Sequence, residues 1–260
     1  MKKILGILLC LLSWSAVAER QFDVEVIVFK RNQNPDMVKE SWPEQTPAIN
    51  FSGSVPASNS ASMLIHDLQV LPKNKWRLNG VYKKLANHAG FQPLIHVAWR
   101  QGDAGRAKMP PIRLTAGRNY DSEYYADGTP IAAGGAFTQV SDGTDSEPSR
   151  GPLFTLDGTI RVYVQHYLFI ETDLRLREPG ERKQLSAVNE ILQSEAPEGT
   201  TVITGVEDES TQGLTQLEKT YSVDKFLRSF SFIQKRRMRS GEIHYLDHPL
   251  MGLIIQVRRV

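Results

Sequence analysis

The feature that most constrains the fold is an alternation of apolar and polar side chains between residues 156 and 177. Apolar side chains recur at almost every second position over Ile160–Leu176, and charged or aromatic side chains fill the positions between them. Successive side chains of a β-strand point to opposite faces, so this pattern predicts a strand with one face in the core. The alternation covers roughly 18 residues, far more than a typical strand, and we expect one long strand, straight or bent.

The two faces of this strand differ in character. The apolar parity includes His166, which we therefore expect to be a core histidine with satisfied hydrogen bonds. The other parity carries Tyr163, Tyr167 and Phe169 between charged residues, which predicts a polar and aromatic face that is partly solvated.

Two strands and a helix are expected in the first half of the chain. Phe22–Phe29 and Pro93–Arg100 are apolar and rich in β-branched residues, which is typical of strands. Between them, Trp76–His88 carries apolar residues at helical spacing and is followed by Gly90, a frequent helix stop. Within the second strand, His96 and Trp99 lie on opposite faces, and Trp99 is expected in the core.

The end of the chain predicts further strands. Phe226–Met238 has strand character, Ser240-Gly241 favours a turn, and Leu250–Val257 is an apolar strand. Residues 236–249 are therefore expected to form one hairpin.

The fold class that follows is α+β. We expect a single domain over residues 19–260, with a mostly antiparallel sheet of long strands and at least one amphipathic helix packed on one face. Gly-rich and Pro-rich stretches predict long irregular insertions at about 32–62, 102–151 and 178–213, with a possible short strand at Ile112–Thr115.

The N-terminus resembles a secretory signal peptide. Lys2 and Lys3 precede an apolar run, and Ala16-Val17-Ala18 is a small-x-small cleavage site, so we expect cleavage after Ala18. The apolar run is far shorter than the roughly 20 residues that span a bilayer, and no other long apolar run follows. The mature chain is therefore expected not to insert into a membrane, and it loses Cys10, its single cysteine.

Charge excludes one class of partner. Cleavage would remove Lys2 and Lys3, leaving 29 basic against 29 acidic residues and a formal net charge of zero. A balanced, exported chain gives no reason to expect nucleic-acid binding.

The densest group of polar side chains lies at residues 236–249. Arg236, Arg237 and Arg239 could bind carboxylates or phosphate-like anions by charge-assisted hydrogen bonds. The alternative is a solvated edge strand whose charges discourage association between sheets.

His244 and His248 suggest a metal site only at first sight. They share a strand face but lie about 13 Å apart on a straight strand, too far for one ion. In the alternative, Asp247 and His248 cap a turn before Pro249, and His244 or Tyr245 packs on the neighbouring strand. Neither a nucleophile motif nor a catalytic carboxylate pair can be located, so we expect no enzyme activity, no metal and no cofactor.

Three patches together are similar to one family. They are Glu25–Phe29, His96–Gln101 and Arg236–Pro249, and they resemble the CsiV family of periplasmic peptidoglycan-binding proteins of gammaproteobacteria. The resemblance implies a non-catalytic periplasmic protein that binds peptidoglycan. It also implies support of cell-wall synthesis by a bifunctional penicillin-binding protein, through the outer-membrane lipoprotein that activates this enzyme.

Candidate ligand-binding residues follow from these patches. They are Arg236, Arg237, Arg239, His244, Tyr245, Asp247, His96 and Arg100. Tyr163, Tyr167 and Phe169 would suit stacking on sugar rings, although a covering loop or helix would remove them from solvent. Two other functions stay open: an adaptor that binds only protein partners, and a metal-dependent cell-wall hydrolase.

Overall fold

The computed structural model describes residues 20–39, 42, 48–131, 150–185 and 221–260, without the side chains of residues 182–185, 221 and 222. The predicted signal peptide lies outside the described residues. So do parts of the three predicted insertions, namely most of residues 40–47, residues 132–149 and residues 186–213. The cleavage and export predictions therefore stay predictions.

The chain divides into two compact units. The first comprises residues up to Asn119, Leu153–Arg177 and Ser229–Val260, and the second comprises Tyr120–Pro152 and Glu178–Arg228. The prediction of a single domain over residues 19–260 stays a prediction.

The described chain is mostly β, with two five-stranded sheets and two short α-helices. Sheet 1 has the order β3-β4-β1-β10-β9 and sheet 2 the order β2-β5-β6-β7-β8. In chain order the strands are β1 Phe22–Arg31, β2 Val55–Pro56, β3 Gln69–Val70, β4 Phe91–Gln101, β5 Ile112–Asn119, β6 Phe154–Gln165, β7 Tyr167–Leu185, β8 Tyr221–Met238, β9 Ile243–Asp247 and β10 Met251–Arg259. The expectation of one sheet was wrong, because the last two strands, β9 and β10, join β1, β3 and β4 in one sheet, whereas β6, β7 and β8 form the other sheet with β2 and β5.

Antiparallel pairing predominates, as predicted. In sheet 1, β1 pairs antiparallel with β4 on one side and β10 on the other. In sheet 2, β5 pairs antiparallel with β6, and β6 with β7, whereas the two-residue β2 pairs parallel with β5. The strand expected at Ile112–Thr115 exists and extends to Asn119.

The core of the first unit lies between its two sheets. Even-numbered residues of β1, such as Val24 and Val26, are fully buried against Trp99 from β4, which confirms the core position predicted for Trp99. Sheet 2 contributes residues such as Ile160 and Ile170 to the same cluster. Burial of apolar surface at about 25 cal/mol per Å² is the main force that holds the two sheets together.

The long alternating strand is in fact a hairpin. β6 and β7 pair antiparallel around His166, with Gln165 opposite Tyr167. Because the turn has one residue, partners across it have the same parity, as in Ile160 with Thr172, and the alternation passes through the turn unbroken. His166 has a positive φ of 61° and is exposed, so the prediction of a core histidine was wrong.

The helix is shorter than predicted. We label the two α-helices α1, Ser60–Ile65, and α2, Asn79–Ala86, and single 3-10 turns occur at Pro35–Met37 and Lys73–Lys75. None of the α2 residues is buried, so an amphipathic helix with a buried apolar stripe is not confirmed. The buried residue is instead Leu78, which precedes the helix.

The C-terminal hairpin also differs from the prediction. β8 and β9 flank the predicted turn at Ser240-Gly241, yet they lie at the edges of different sheets. The hairpin that forms is β9 with β10, in which Tyr245 lies opposite Ile254. The alternation of residues 236–249 could not distinguish these two pairings.

The described part of the second unit contains a tight turn. Gly128 has a φ of 89° and its amide donates to the carbonyl of Tyr125. A Cβ at this position would meet the backbone oxygen of Leu227 at 2.5 Å, so only glycine fits. Among all described residues of the chain, no helix is long and apolar enough to cross a membrane.

Candidate functional site

A cluster of cations and aromatic rings lies on sheet 2, on the odd-numbered side chains next to the β6–β7 turn. We call it the basic–aromatic face. It consists of Arg106, Tyr163, Tyr167, Phe169, Glu171, Lys235 and Arg237. The odd-numbered residues of β6 and β7 share one face because the turn at His166 has one residue. Lys235 and Arg237 of the neighbouring β8 lie over the rings of this face.

Exposure of the three rings decreases away from the turn. Tyr167 is 50% exposed, Phe169 is partly buried, and Tyr163 is fully buried. Tyr163 and Phe169 are cross-strand partners, and their rings stack with centroids 5.5 Å apart. The predicted polar and aromatic face is thus confirmed at its exposed end, whereas Tyr163 is covered.

Glu171 organises the cations of this face. Its carboxylate accepts hydrogen bonds from Arg106 Nε and from the Tyr163 hydroxyl, each at 2.9 Å, and Lys235 Nζ lies 3.4 Å away. Burial raises the pKa of Glu171, but these donors outweigh it and hold the pKa below its usual value. Lys235 Nζ also lies 5.5 Å from the centroid of the Phe169 ring, a cation–π distance.

Arg237 covers the exposed ring at the end of the hairpin. Its guanidinium carbon lies 3.4 Å from the centroid of Tyr167, which fits a guanidinium lying flat on the ring. In that arrangement the N–H groups point sideways, away from the ring, and can bind another group.

Next to Arg237, the turn between β8 and β9 forms an open groove of about 380 Å³. We call it the turn groove. It is lined by Arg236, Arg237, Met238, Arg239, Glu242 and His244. Three arginines face one glutamate in its walls, so its net character is cationic.

Some residues of the turn groove serve the protein's own backbone. Arg236 Nη1 donates to the carbonyl of Tyr245 at 2.6 Å and so satisfies the free edge of β9. His244 Nε2 accepts a hydrogen bond from the Arg239 amide at 3.0 Å, which closes the turn. Arg239 lies 3.7 Å from Glu242 and is mostly exposed.

Tyr245 and Asp247 lie on the other side of β9, within sheet 1. The Tyr245 hydroxyl donates to Asp247 Oδ1 at 2.6 Å, and Arg31 contacts both side chains. The Tyr245 ring stacks on Phe29, with a centroid distance of 6.2 Å. Gly252 makes this possible, because a Cβ there would meet the Phe29 ring at 2.4 Å.

His96 belongs to a buried network around Glu25, which we call the Glu25 network. Glu25 Oε1 accepts from the Leu78 amide at 2.8 Å and contacts His96 Nε2 at 2.9 Å. Its Oε2 accepts from the Arg77 amide at 2.7 Å and from Arg258 Nη1 at 3.0 Å. The carboxylate of β1 therefore holds the chain that leads into α2.

The Glu25 network is enclosed and electrostatically satisfied. The His96 ring packs between Trp76, at a centroid distance of 4.4 Å, and Tyr82 of α2, at 5.2 Å. Burial raises the pKa of Glu25, but the hydrogen bonds from His96, the two backbone amides and Arg258 lower it to about 2. Glu25 is thus a buried carboxylate that stays charged.

Arg100 is also paired within sheet 1. Its Nε and Nη2 donate to the two carboxylate oxygens of Asp23 at 2.7 and 3.2 Å. The hydrogen bond that Arg100 donates to Asp23 raises the pKa of Arg100. This fork leaves Arg100 engaged by its cross-strand partner on β1.

His248 lies in the core between aromatic rings. Its centroid is 5.1 Å from that of Trp42 and 5.4 Å from that of Phe232, and burial lowers its pKa to about 4. His248 Nδ1 accepts from the Leu250 amide at 3.2 Å, which fits the predicted turn before Pro249. The described residues contain no group of three or more His, Cys, Asp or Glu side chains placed to hold a metal ion.

The eight candidate residues therefore fall into separate places. Arg236, Arg237, Arg239 and His244 line the turn groove. Tyr245 and Asp247 form a cluster with Arg31, and His96 and Arg100 make separate ion pairs on sheet 1.

Three further residues of the basic–aromatic face were not among the candidates. They are Lys235, Glu171 and Arg106. The sequence could have indicated Lys235, since it lies two residues before Arg237 on β8 and so points to the same face of the strand. Arg106 lies in a predicted insertion and carried no such signal.

These contacts define a β-sheet protein with an exposed, basic surface beside the β8–β9 turn. The chain belongs to the CsiV family: the family model, described as "Peptidoglycan-binding protein, CsiV", matches residues 2–260. No curated protein matches the chain.

Among solved structures, the chain matches a type II secretin, GspD, from enteropathogenic Escherichia coli. The identity is 8%, and the match covers 99% of this chain and 74% of the secretin chain. The TM-score is 0.27, which is too low to carry an argument about fold or function.

Proposed function

We propose that this chain is a non-catalytic periplasmic protein that binds peptidoglycan at its basic–aromatic face. The observation that carries the proposal is the exposed Tyr167 ring under Arg237, continued by Phe169 under Lys235. Membership of a peptidoglycan-binding family supports the choice of polymer.

The open geometry of the face suits a polymeric ligand. Peptidoglycan strands continue beyond any single contact, so their binding surface must be open at both ends rather than enclosed. The half-exposed Tyr167 and the open turn groove beside it meet this requirement. The Glu25 network does not, because its carboxylate is completely buried.

The cellular role that we propose is support of wall synthesis by a penicillin-binding protein and its outer-membrane lipoprotein activator. The family resemblance of residues 25–29, 96–101 and 236–249 supports this role. Co-sedimentation of the purified protein with the purified activator tests this role. Absence of a complex would contradict the role but would leave the proposal of peptidoglycan binding unaffected.

Binding to purified sacculi tests the proposed site. We expect Tyr167→Ala to weaken sedimentation with sacculi by about tenfold, because it removes the ring that supports Arg237. Tyr167→Phe is the matched control: it keeps the ring and should bind like wild type. Both variants should keep the wild-type unfolding midpoint within a few degrees, since Tyr167 is half exposed.

Two results would contradict the proposal. Wild-type protein that stays in the supernatant with sacculi would rule out peptidoglycan binding and favour an adaptor of protein partners. Equal binding of Tyr167→Ala and wild type would place the binding site elsewhere on the chain.

A further inference from the structure

The rings of the basic–aromatic face have few free surfaces. Tyr163 is fully buried, and its ring stacks on Phe169. Lys235 lies over Phe169, and Arg237 lies over Tyr167. Stacking on a sugar needs an open ring face, so the groups that this surface offers to a ligand are mainly the cations above the rings.

Arg237 differs from the arginines on either side of it in the chain. Arg236 donates to the Tyr245 carbonyl, and Arg239 lies near Glu242. Within the described part of the chain, Arg237 makes no hydrogen bond or ion pair, and its contact is the Tyr167 ring. A ring holds the guanidinium in place without using its N–H donors, so these donors remain available to an acceptor.

The surroundings of Arg237 favour an anion. On one side lie Lys235 and Arg106, whose shared carboxylate is Glu171. On the other side lies the turn groove, where Arg236 and Arg239 add positive charge. A guanidinium with free donors in a cationic setting is well matched to a carboxylate, which accepts two parallel hydrogen bonds from it.

We propose that Arg237 recognises a carboxylate of the peptide stems of peptidoglycan, and that the aromatic rings position this arginine rather than stack on sugars. The inference rests on the proposed function and names the part of the polymer that the same site binds. In intact peptidoglycan the free carboxylates lie on the peptide stems, because the lactyl carboxylate of the sugar is consumed in its amide bond to the stem.

Chemical amidation of sacculi tests this inference. Carbodiimide and ammonia convert carboxylates to amides of nearly the same size and leave the glycan intact. We expect wild-type protein to bind amidated sacculi about tenfold more weakly than untreated sacculi, the cost of losing one charge-assisted interaction. Arg237→Ala should bind untreated sacculi with the same loss and show no further loss after amidation.

Two controls separate recognition from general attraction. Arg237→Lys keeps the charge but loses the fork, so it should recover only part of the binding. Lys84→Ala removes one charge from an exposed residue of α2 and should bind like wild type. A loss with Lys84→Ala equal to that of Arg237→Ala would overturn the inference in favour of net charge alone.

The source of the carboxylate is tested with separated parts of the polymer. Amidase digestion yields glycan strands that carry free lactyl carboxylates, together with free peptide stems. Competition by the stems but not by the glycan supports the inference, and competition by the glycan alone would overturn it. Undiminished binding to amidated sacculi would also overturn the inference but would leave the proposed function intact. Failure to bind untreated sacculi would contradict both the inference and the proposed function.

Discussion

The Glu25 network and the basic–aromatic face contain the same kinds of residues but differ in exposure. Each sets a carboxylate among cations and aromatic rings on one face of a sheet. Glu25 is completely buried and is engaged by four donors, whereas the Glu171 side chain is 21% exposed and the face ends in the half-exposed Tyr167. The first group is closed to a ligand and the second is open.

This difference shows that residue type does not decide whether a polar cluster is scaffold or site. Around His96, Trp76 and Tyr82 close over the imidazole, and its carboxylate partner holds the backbone ahead of α2. Around Arg237, one ring supports the cation from below and leaves its donors free. A covered cluster stabilises the fold, and an uncovered one can bind.

The largest expected effect is on the covered cluster. We expect Glu25→Ala to lower the free energy of unfolding by about 3–5 kcal/mol, because it leaves Arg258, His96 and two backbone amides without their acceptor. Chemical denaturation measures this loss. Glu242→Ala, at an exposed position, should cost well under 1 kcal/mol; equal losses for the two variants would remove the distinction between covered and open clusters.

A smaller effect depends on pH. The pKa of Glu25 is about 2 in the folded protein against an ordinary 4.5, so the folded state favours the charged form. Its contribution is complete above about pH 4.5 and is lost as the pH falls through about 2. The stability difference between wild type and Glu25→Gln should therefore shrink by on the order of 3 kcal/mol across that window.

Denaturation curves at steps of pH measure this difference. His248 has a folded pKa of about 4, below its ordinary 6.5, so it also destabilises the fold in acid. Wild type and Glu25→Gln both contain His248, and its contribution cancels in the difference. A difference that stays constant between pH 5 and 2 would show that Glu25 is not the carboxylate that the network keeps charged.

The smallest effect separates two adjacent arginines. Arg236→Ala removes the hydrogen bond to the Tyr245 carbonyl and should cost about 1 kcal/mol of stability, with little change in sacculus binding. Arg237→Ala should weaken sacculus binding and leave the free energy of unfolding nearly unchanged. Denaturation and sacculus sedimentation of the same two variants measure both quantities. Equal losses of stability and of binding for the two variants would contradict the different roles that we expect for the two arginines.

Local patterns predicted much of the first sheet. Apolar runs predicted the strands β1, β4 and β10 and the core position of Trp99. They did so because a strand with buried side chains needs apolar residues at those positions in the sequence. The turn at His166 was missed for a physical reason. A one-residue turn preserves the parity of cross-strand partners, so one long strand and a hairpin leave the same alternation.

The candidate site was predictable only in part. Residues 236–249 were correctly singled out as dense in polar groups, and Arg237 was among the candidates. Its ring partner could not be assigned, because Tyr167 meets Arg237 only after β7 and β8 pair. The role of Arg236 depended likewise on β9 presenting a free carbonyl to β8.

By itself, the sequence determined where most of the long strands lie, that Trp99 faces the core, and which family the chain resembles. These properties depend on side-chain period and local composition. Tertiary structure decided which arginines have partners: Arg258 and Arg100 pair with carboxylates of β1, and Arg236 donates to a carbonyl of β9. These partners come from other strands, and for this reason only the folded chain distinguishes Arg237 from its neighbours.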